Sequence, residues 1–442
     1  MLRILERVFH LEENRTNVRT EVLAGITTFV TLAYILFVNP NILKDAGMPV
    51  EATFAATCVA SAFATLVMGL YANYPIAVAP GMGLNAFFTY AVVIGMKLPW
   101  QTALGAVFIS GVVFFVLTVT KVREWIVDGV PHVLRSAIGV GIGLFIAFIG
   151  LRNAGIIVKS DATLVALGSM KDAGVLVSIA GLIATAFLMA RRIKGALLLG
   201  IGFTTAVAMG FGVSPAPVGI GSFFAVTNPL AALKPTAFQL DIKGALEVGL
   251  IPILFSFTFV DLFDNIGTLI GVSRKAGLLD ERGQLPRIGK ALFSDSLGTM
   301  FGALMGTSTV TSYVESAAGV SEGGRTGLTA LVVAFLFVVA LVFAPMVGLI
   351  PAQATAPALI IVGVLMMAEI VHIDFSNFTE AFPAFLTILM MPLTYSIAQG
   401  LAFGFMSYTI VKFLAGRHHE NNLVTYSLTA LFILHFVLGT SA

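Results

Sequence analysis

Apolar runs of roughly 17 to 25 residues recur along almost the whole chain, from Thr20 to Gly416. A lipid bilayer offers the backbone no hydrogen-bond partner, so each run must satisfy its own amide and carbonyl groups, which a helix does. With 58% hydrophobic residues, 11% charged residues and a mean hydropathy of +0.98, the chain could not bury its apolar surface in water. The sustained alternation of apolar and polar residues typical of membrane β-barrels is absent from the sequence. We therefore predict an all-α polytopic membrane protein.

The apolar runs form two groups of seven, separated by a polar, Pro-rich connection at 213–248. The predicted spans of the first group lie at 20–38, 51–72, 80–96, 99–120, 134–151, 173–190 and 195–212. Those of the second group lie at 249–272, 289–305, 312–322, 326–345, 355–371, 377–392 and 396–414. Because each group has an odd number of spans, the second enters the membrane from the opposite face. This predicts 14 transmembrane segments as two inverted repeats, an arrangement found in many secondary transporters.

The Lys and Arg residues are distributed unequally between the two sides of the membrane. Threading the spans alternately places 18 of the 25 Lys and Arg residues on the side of the N-terminus and the other 7 opposite. The positive-inside rule then predicts a multi-pass protein of the cell membrane with both termini in the cytoplasm. The polar segment 1–19 lacks the apolar core and cleavage site of a secretory signal. The short apolar stretch 423–438 predicts an interfacial or re-entrant helix in preference to a fifteenth span.

The eighth predicted span carries two acidic residues, Asp261 and Asp264. Ionisable groups inside an apolar span are expensive when unpaired, so they are candidates for function. The two aspartates are three residues apart and lie on adjoining parts of one helical face, where repulsion in a dry site favours proton uptake by one of them. This predicts a carboxylate that couples transport to protons. The alternative is that both aspartates only hydrogen-bond to neighbouring groups and stabilise the bundle.

The tenth span begins with many Thr and Ser residues, between Gly306 and Ser312. Such residues favour extended backbone and helix caps, whereas the small residues that follow favour a helix. We predict an extended stretch that leads into a half-helix at mid-membrane, with Glu315 near the helix N-terminus. The alternative is an ordinary kinked helix in which Glu315 has a structural partner.

The third span has a similar interruption. Pro75 and Pro80 bracket an apolar extended run, after which Gly81 and Gly83 open a helix that carries Asn85. Interruptions at corresponding positions of two repeats are the best indication in a sequence of a transporter binding site. The neutral Asn85 amide offers both a donor and an acceptor, although it is also suited to packing alone.

Three segments, Ala79–Phe88, Phe259–Leu269 and Thr307–Gly327, together resemble the AzgA-like branch of the nucleobase:cation symporters, which are purine permeases. The resemblance covers nearly the whole chain. It implies the uracil-permease type of fold, with a core domain of spans 1–4 and 8–11 and a gate domain of spans 5–7 and 12–14. The implied segments are a cytoplasmic N-terminus at 1–19, core parts at 20–120 and 249–345, gate parts at 121–212 and 346–416, an outer connection at 213–248 and a C-terminal interfacial helix at 417–442.

The resemblance further implies that a purine binds between the half-helices of the third and tenth spans. The implied contact residues are Asn85, Asp261 or Asp264, and Glu315. Gly83 and Tyr313 complete the predicted binding site, since a nearby aromatic ring can cover the face of a heterocycle. Either Asp261 or Asp264 would also couple proton movement, and the sequence leaves open which one does. Hypoxanthine, guanine and adenine are the implied substrates, and the relatives suggest a homodimer. The proton gradient is the expected driving force, with no cofactor or metal.

Other functional classes fit the sequence less well. Fold does not fix function, so a carrier of another solute or of an anion remains the alternative. An anion site would need a cationic lining, and Lys and Arg are absent from the middle of the third, eighth and tenth predicted spans. An intramembrane enzyme would need a nucleophile with its base or a metal-binding motif, and the sequence contains neither. Basic residues are scattered over loops and do not form a stripe, which argues against nucleic-acid binding.

Overall fold

A computed structural model describes residues 2–120, 129–224, 229–247, 251–280 and 285–438. Lys121, Arg123 and Arg282, which belong to the predicted inner-side charge, lie outside these ranges. So do small parts of the predicted segments 1–19, 121–212, 213–248, 249–345 and 417–442.

The described residues are mostly helical. The helices are α1 (Leu2–Phe9), α2 (Val18–Leu32), α3 (Ile35–Asp45), α4 (Val50–Val67), α5 (Met82–Ala86), α6 (Trp100–Val119), α7 (His132–Asn153), α8 (Ala173–Ala190), α9 (Ala196–Gly210), α10 (Ile242–Glu247), α11 (Ile251–Ala276), α12 (Ile288–Met305), α13 (Ser316–Ser321), α14 (Gly327–Ala340), α15 (Ala352–Met366), α16 (Phe378–Leu393), α17 (Ile397–Leu414) and α18 (Leu423–Leu438). The strands are β1 (Val78–Pro80), β2 (Ile157–Ser160), β3 (Leu164–Leu167) and β4 (Val310–Ser312). Wider π-helical turns continue α4 through Met68–Ala72 and α5 through Phe87–Gly95, and tighter 3-10 turns continue α14 through Leu341–Leu349 and α15 through Met367–His372.

Helical segments overlap all of the predicted spans. Among the described residues, eight stretches are long and apolar enough to cross a bilayer: Val18–Asp45, Val50–Ala72, Trp100–Val119, His132–Asn153, Ala173–Ala190, Gly327–Leu349, Ala352–His372 and Ile397–Leu414. Shorter apolar helices lie at Met82–Gly95, Ala196–Gly210, Phe378–Leu393 and Leu423–Leu434. The chain is therefore a multi-pass helical membrane protein, as the apolar runs predict.

The first span differs from its predicted extent of 20–38. It runs from Val18 to Asp45 and is interrupted between α2 and α3, at Ala33 and Tyr34. Just before the interruption, the Thr31 hydroxyl donates to two carbonyls of the preceding turn. Hydrogen bonds of this kind often bend helices. The interruption places Tyr34 in the interior of the protein, where it is buried.

The two extended stretches predicted at segments 3 and 10 are present and pair with each other. β1 and β4 are antiparallel, with Val78 opposite Ser312 and Pro80 opposite Val310. All residues of both strands are buried, so this irregular backbone is enclosed in protein and away from lipid. The sequence predicts the separate stretches, but their pairing is an additional finding.

Each strand is fixed by one threonine from a neighbouring helix. The Thr65 hydroxyl of α4 bonds to both the amide and the carbonyl of Val78, each at 2.9 Å. The Thr299 hydroxyl of α12 bonds to the amide and the carbonyl of Val310 in the same way, at 3.2 and 2.9 Å. The second span of each half thus holds the strand of the third, and the same arrangement occurs twice.

The long helices pack mainly in two sets. In the first set, α6 packs on α12, and α2 and α4 both pack on α14. In the second set, α7 packs on α15 and α16, α8 packs on α9 and α15, and α16 packs on α17. Contacts between the sets are fewer and include α5 with α7 and α11 with α17.

A β-hairpin lies outside the two extended stretches predicted at segments 3 and 10. β2 and β3 form an antiparallel pair between α7 and α8, with Val158 opposite Ala166 and Lys159 opposite Val165. β-Branched residues on either side of a polar turn favour such a hairpin.

The C-terminal helix α18 packs on α17. The two helices are joined by hydroxyls of Thr409 and Thr429 at 2.7 Å. Near this contact, the buried Lys412 ammonium of α17 pairs with Glu420 at 2.5 Å and with Glu380 at 3.4 Å. This network ties the connection before α18 to the ends of α16 and α17, while the interfacial location of α18 stays a prediction.

Candidate functional site at the strand crossing

The two short helices α5 and α13 begin where β1 and β4 pair, and we call this place the strand crossing. Gly81 follows β1 and donates its amide to the Thr309 carbonyl at 2.9 Å, and Tyr313 follows β4 and donates its amide to the Ala77 carbonyl at 2.9 Å. Each half-helix therefore starts at the strand crossing. The first three amides of α13 donate to the carbonyls of the three residues before that helix, at 2.9 to 3.1 Å. This arrangement is the one that the interrupted third and tenth spans predict.

Asn85 lies on α5 and is fully buried. Its Oδ1 accepts a hydrogen bond from the Ser308 hydroxyl, which precedes β4. Its Nδ2 has no hydrogen-bond partner among the described residues. Because a buried amide donor without a partner is costly, this Nδ2 is well suited to bind an acceptor on a ligand.

On α11, Asn265 is the residue that fixes the helix to β4. The Asn265 Oδ1 accepts from the Ser312 amide at 2.7 Å and from the Thr311 hydroxyl at 2.9 Å. Its Nδ2 donates to Asp261 Oδ1 at 2.7 Å, and Asp261 is buried. Asp261 therefore takes part in the contact that anchors α11, while its Oδ2 has no hydrogen-bond partner among the described residues.

Asp264 is placed differently from Asp261. It is partly exposed, and the Thr311 hydroxyl donates to its Oδ2 at the long distance of 3.4 Å. It also interacts electrostatically with Glu315, Tyr34 and Tyr313. Asp264 thus lies on the side of α11 that faces the other predicted contact residues.

A second buried carboxylate, Asp295 of α12, lies on the Asp261 side of the site. The Ser312 hydroxyl is 3.1 Å from both Asp295 carboxylate oxygens. Asp295 and Asp261 interact electrostatically across this strand. The contact of Asp295 with Ser312 joins α12 to β4.

Glu315 is the residue immediately before α13, as the sequence predicts for the N-terminus of this half-helix. Its Oε1 accepts a hydrogen bond of 2.6 Å from the Tyr34 hydroxyl. Tyr34 was missed by sequence reasoning, although a tyrosine inside the first apolar span is a weak signal. Tyr313 is also buried, and its hydroxyl donates to the Pro80 carbonyl at 2.5 Å, so it links the two extended stretches.

Gly83 faces a helix of the second set. A Cβ atom at this position would lie 2.6 Å from Ile142 Cγ2 of α7, so glycine permits the close approach of α5 and α7. Contact between Gly83 and a substrate stays a prediction.

A second missed residue supports the site from the far end of α13. The buried Glu21 of α2 accepts from the amides of Arg325, Thr326 and Thr329 at 2.9 to 3.3 Å, at the beginning of α14. The Arg325 guanidinium in turn donates to the Val320 carbonyl at the end of α13, at 2.7 Å. Glu21 and Arg325 therefore join α2, α13 and α14 into one unit.

The crossing as a whole combines carboxylate acceptors, an amide donor and two tyrosines, with Asn85, Asp264, Glu315 and Tyr34 as its polar groups. None of these groups is cationic. In the part of the chain that the structure describes, groups of three or more His, Cys, Asp or Glu placed to hold a metal are absent. The arrangement is suited to a neutral solute with both donors and acceptors.

Comparison with known proteins gives a match to a family of permeases. Residues 19–403 match the permease family Xan_ur_permease. The chain belongs to this family. It is therefore a transport protein and not an enzyme, in agreement with the motifs at 79–88, 259–269 and 307–327.

Named relatives cover nearly the whole chain. The chain is 44% identical over 434 residues to the adenine permease AdeP of Escherichia coli strain K12, covering 98% of this chain and 96% of the relative. It is 44% identical over 437 residues to the guanine/hypoxanthine permease PbuO of Bacillus subtilis strain 168, covering 98% of this chain and 100% of the relative. These similarities confirm the predicted resemblance to AzgA-like purine permeases.

Solved structures share the fold at low sequence identity. The transmembrane domain of the cyanobacterial bicarbonate transporter BicA has a TM-score of 0.66 at 16% identity, covering 86% of this chain and 96% of that domain. SLC26A9 has a TM-score of 0.62 at 11% identity, covering 90% of this chain and 66% of that one.

Proposed function

We propose that this permease is a proton-coupled symporter that brings purine nucleobases into the cell by alternating access. The observation that carries the proposal is the cluster of Asn85, Asp264 and Glu315 at the strand crossing, in a family whose named relatives transport adenine or guanine and hypoxanthine. Hypoxanthine, guanine and adenine are the proposed substrates, and the proton gradient is the proposed driving force.

The polar groups of the crossing complement the edge of a purine. A purine is planar and neutral, and it presents N–H donors beside ring-nitrogen or carbonyl acceptors. In the proposed complex, Glu315 and Asp264 accept from N–H groups, while Asn85 Nδ2 donates to a ring acceptor. The first amides of α5, that of Gly83 among them, supply further donors, and Tyr313 covers a ring face.

Asp264 is the proposed proton carrier. It interacts electrostatically with Glu315 and, among the described residues, accepts one long hydrogen bond, whereas Asp261 is bonded to Asn265 in the anchor of α11. Two carboxylates near one another in a site of low polarity disfavour simultaneous ionisation, so binding of a proton makes the site less repulsive. In the proposed coupling, one proton moves together with one neutral base. Asp261 contributes indirectly, by holding α11 through its hydrogen bond with Asn265.

The proposed architecture has 14 transmembrane segments in two inverted repeats, with the termini in the cytoplasm. The matching contacts of Thr65 with Val78 and of Thr299 with Val310 support the repeat. The packing of the helices in two sets supports a core domain and a gate domain that move relative to each other, and we propose a homodimer formed by the gate domains.

An anion carrier is the second candidate, because BicA and SLC26A9 share the fold. The acidic side chains Asp264 and Glu315 argue against it, since they repel an anion and the polar groups described at the crossing include no Lys or Arg.

The test is uptake of labelled hypoxanthine, guanine and adenine into cells that lack their own purine permeases. Expression of the chain is expected to produce uptake that collapses with a protonophore and is competed by the preferred unlabelled base. Glu315→Gln is expected to abolish it, whereas Glu51→Gln, at an exposed acid on α4, serves as the matched control. Absence of uptake of all three purines by well-expressed protein would refute the proposed function.

A further inference from the structure

A cavity of about 360 Å³ lies away from the strand crossing, at the end of the bundle where α7 ends. Its walls come from the π-helical continuation of α5, from α7, from the hairpin β2–β3 and from Tyr395, which lies between α16 and α17. Tyr90 lines its buried side and is 4% exposed, whereas Leu164 of the hairpin is 79% exposed at its rim. The cavity therefore leads from the protein surface into the bundle, and we name it the vestibule.

The vestibule lies on the same helical segment as Asn85. Tyr90 follows Asn85 by five residues, which corresponds to roughly 7 Å along a helix. Tyr90 donates to Asp45 at the end of α3 at 2.7 Å and accepts from Asn153 at the end of α7 at 3.3 Å. The vestibule is thus placed where the two helix sets meet, between the surface and the strand crossing.

Aromatic rings and one guanidinium provide its chemistry. The ring centroid of Tyr395 lies 5.4 Å from that of Phe148 and 6.2 Å from that of Tyr90. Arg152 Cζ lies 5.6 Å from the Tyr90 centroid and 5.9 Å from the Tyr395 centroid. Aromatic faces stack on planar heterocycles, and a guanidinium donates to ring nitrogens and carbonyl oxygens.

We propose that the vestibule is a second binding site, which holds a purine base before it reaches Asn85. The proposal rests on the proposed function, because it assigns the same solute to this cavity. Arg152 and Tyr395 are the proposed contact residues. A lipid headgroup fits the vestibule less well, because most of the lining is aromatic or aliphatic and Lys159 already pairs with Asp161 at 3.3 Å.

Protection of an introduced cysteine tests local occupancy. The one cysteine of the chain, Cys58, is buried, so labelling by a membrane-impermeant maleimide would report the new thiol. Val165→Cys places that thiol on β3 in the vestibule wall, and Leu167→Cys on the same strand, 70% exposed and outside the lining, is the matched control. Adenine or hypoxanthine is expected to slow labelling at 165 at least about fivefold and to leave labelling at 167 unchanged.

The same measurement in a Glu315→Gln background separates the vestibule from the crossing. Protection at 165 is expected to persist there although uptake is lost. Loss of protection in this background, or slower labelling at both 165 and 167, would show a conformational response to the crossing site and overturn the proposal. The thiol at 165 could also stay unlabelled without base and become labelled in vesicles of phosphatidylcholine alone. That result would identify a lipid as the occupant and would also overturn the proposal.

Transport kinetics provide an independent test. Arg152→Gln is expected to raise the KM for uptake about tenfold while kcat stays within about twofold, because one binding contact is lost outside the crossing. A wild-type KM, or loss of kcat alone, would refute a role in binding. If uptake is normal and protection at 165 is absent, the vestibule proposal fails while the proposed function stands. If no purine is taken up but protection at 165 occurs, the proposed function fails and the binding site stands.

Discussion

Replacement of Tyr34 by phenylalanine tests whether Glu315 must be oriented to bind a base. The variant keeps the ring that is buried between α2 and α3 and removes only the hydroxyl, which donates to Glu315 at 2.6 Å. A hydrogen bond to a charged group contributes about 1.5–3 kcal/mol, which corresponds to about 10- to 150-fold in an equilibrium constant. Since the carboxylate keeps its position before α13 without this bond, we expect the lower end of the range.

The assay is initial-rate uptake of the preferred purine over a range of concentrations, corrected for the amount of protein in the membrane. Tyr34→Phe is expected to lower kcat/KM about tenfold, mainly through KM, because the substrate is bound by a less well oriented acceptor. Tyr408→Phe is the control, since Tyr408 is also buried but lies on α17. A wild-type KM for Tyr34→Phe, or the same loss in both variants, would refute the orienting role of Tyr34.

Three further predictions concern the carboxylates, the strand supports and the C-terminal connection. Asp264→Asn should reduce proton-coupled uptake about 100-fold. Asp261→Asn keeps an acceptor for the α11 anchor, so its uptake should stay within about tenfold of wild type. The reverse order in the uptake assay would assign coupling to Asp261. Thr65→Val and Thr299→Val should each destabilise the detergent-solubilised protein by about 1–3 kcal/mol, because each leaves strand backbone groups unsatisfied; clearly unequal shifts in thermal unfolding would contradict equivalent roles in the two repeats. The hydrogen bond from the buried Lys412 ammonium lowers the pKa of Glu420, so this contact stabilises the fold at neutral pH and is lost as the pH falls through the lowered pKa. The Glu420→Gln variant should therefore unfold at a lower temperature than wild type near neutral pH, and the difference should disappear in acid. A difference that stays constant with pH would refute this linkage.

The sequence predicts the local elements of the site well, because each has a local signal. The apolar runs predict helices, and the change from Thr and Ser to small residues predicts the extended stretch before α13. The pairing of β1 with β4 joins residues such as Val78 and Ser312 that are far apart in the chain, so no local pattern indicates it. Its register depends on tertiary contacts, among them those of Thr65 and Thr299.

Two polar residues of the first span were missed for a different reason. A tyrosine such as Tyr34 in an apolar run resembles the aromatic residues common at membrane interfaces, so only the break between α2 and α3 reveals its position beside Glu315. Glu21 lies at the beginning of its span, where an acid normally faces water. The structure instead buries Glu21 against the start of α14, where it accepts several backbone amides.

Under the proposed mechanism the two helix sets must separate at one end at a time, so the contacts between them need to be weaker than those within each set. Lys194, between α8 and α9, pairs with Glu322 at the end of α13 at 2.6 Å, and both side chains are partly exposed. Such a pair contributes roughly 0–1 kcal/mol. Within the first set, by contrast, Glu21 and Asn265 each make several buried hydrogen bonds to backbone amides and hydroxyls. Since breaking buried bonds is costly, this distribution favours movement of the sets as rigid units, with the strand crossing carried intact.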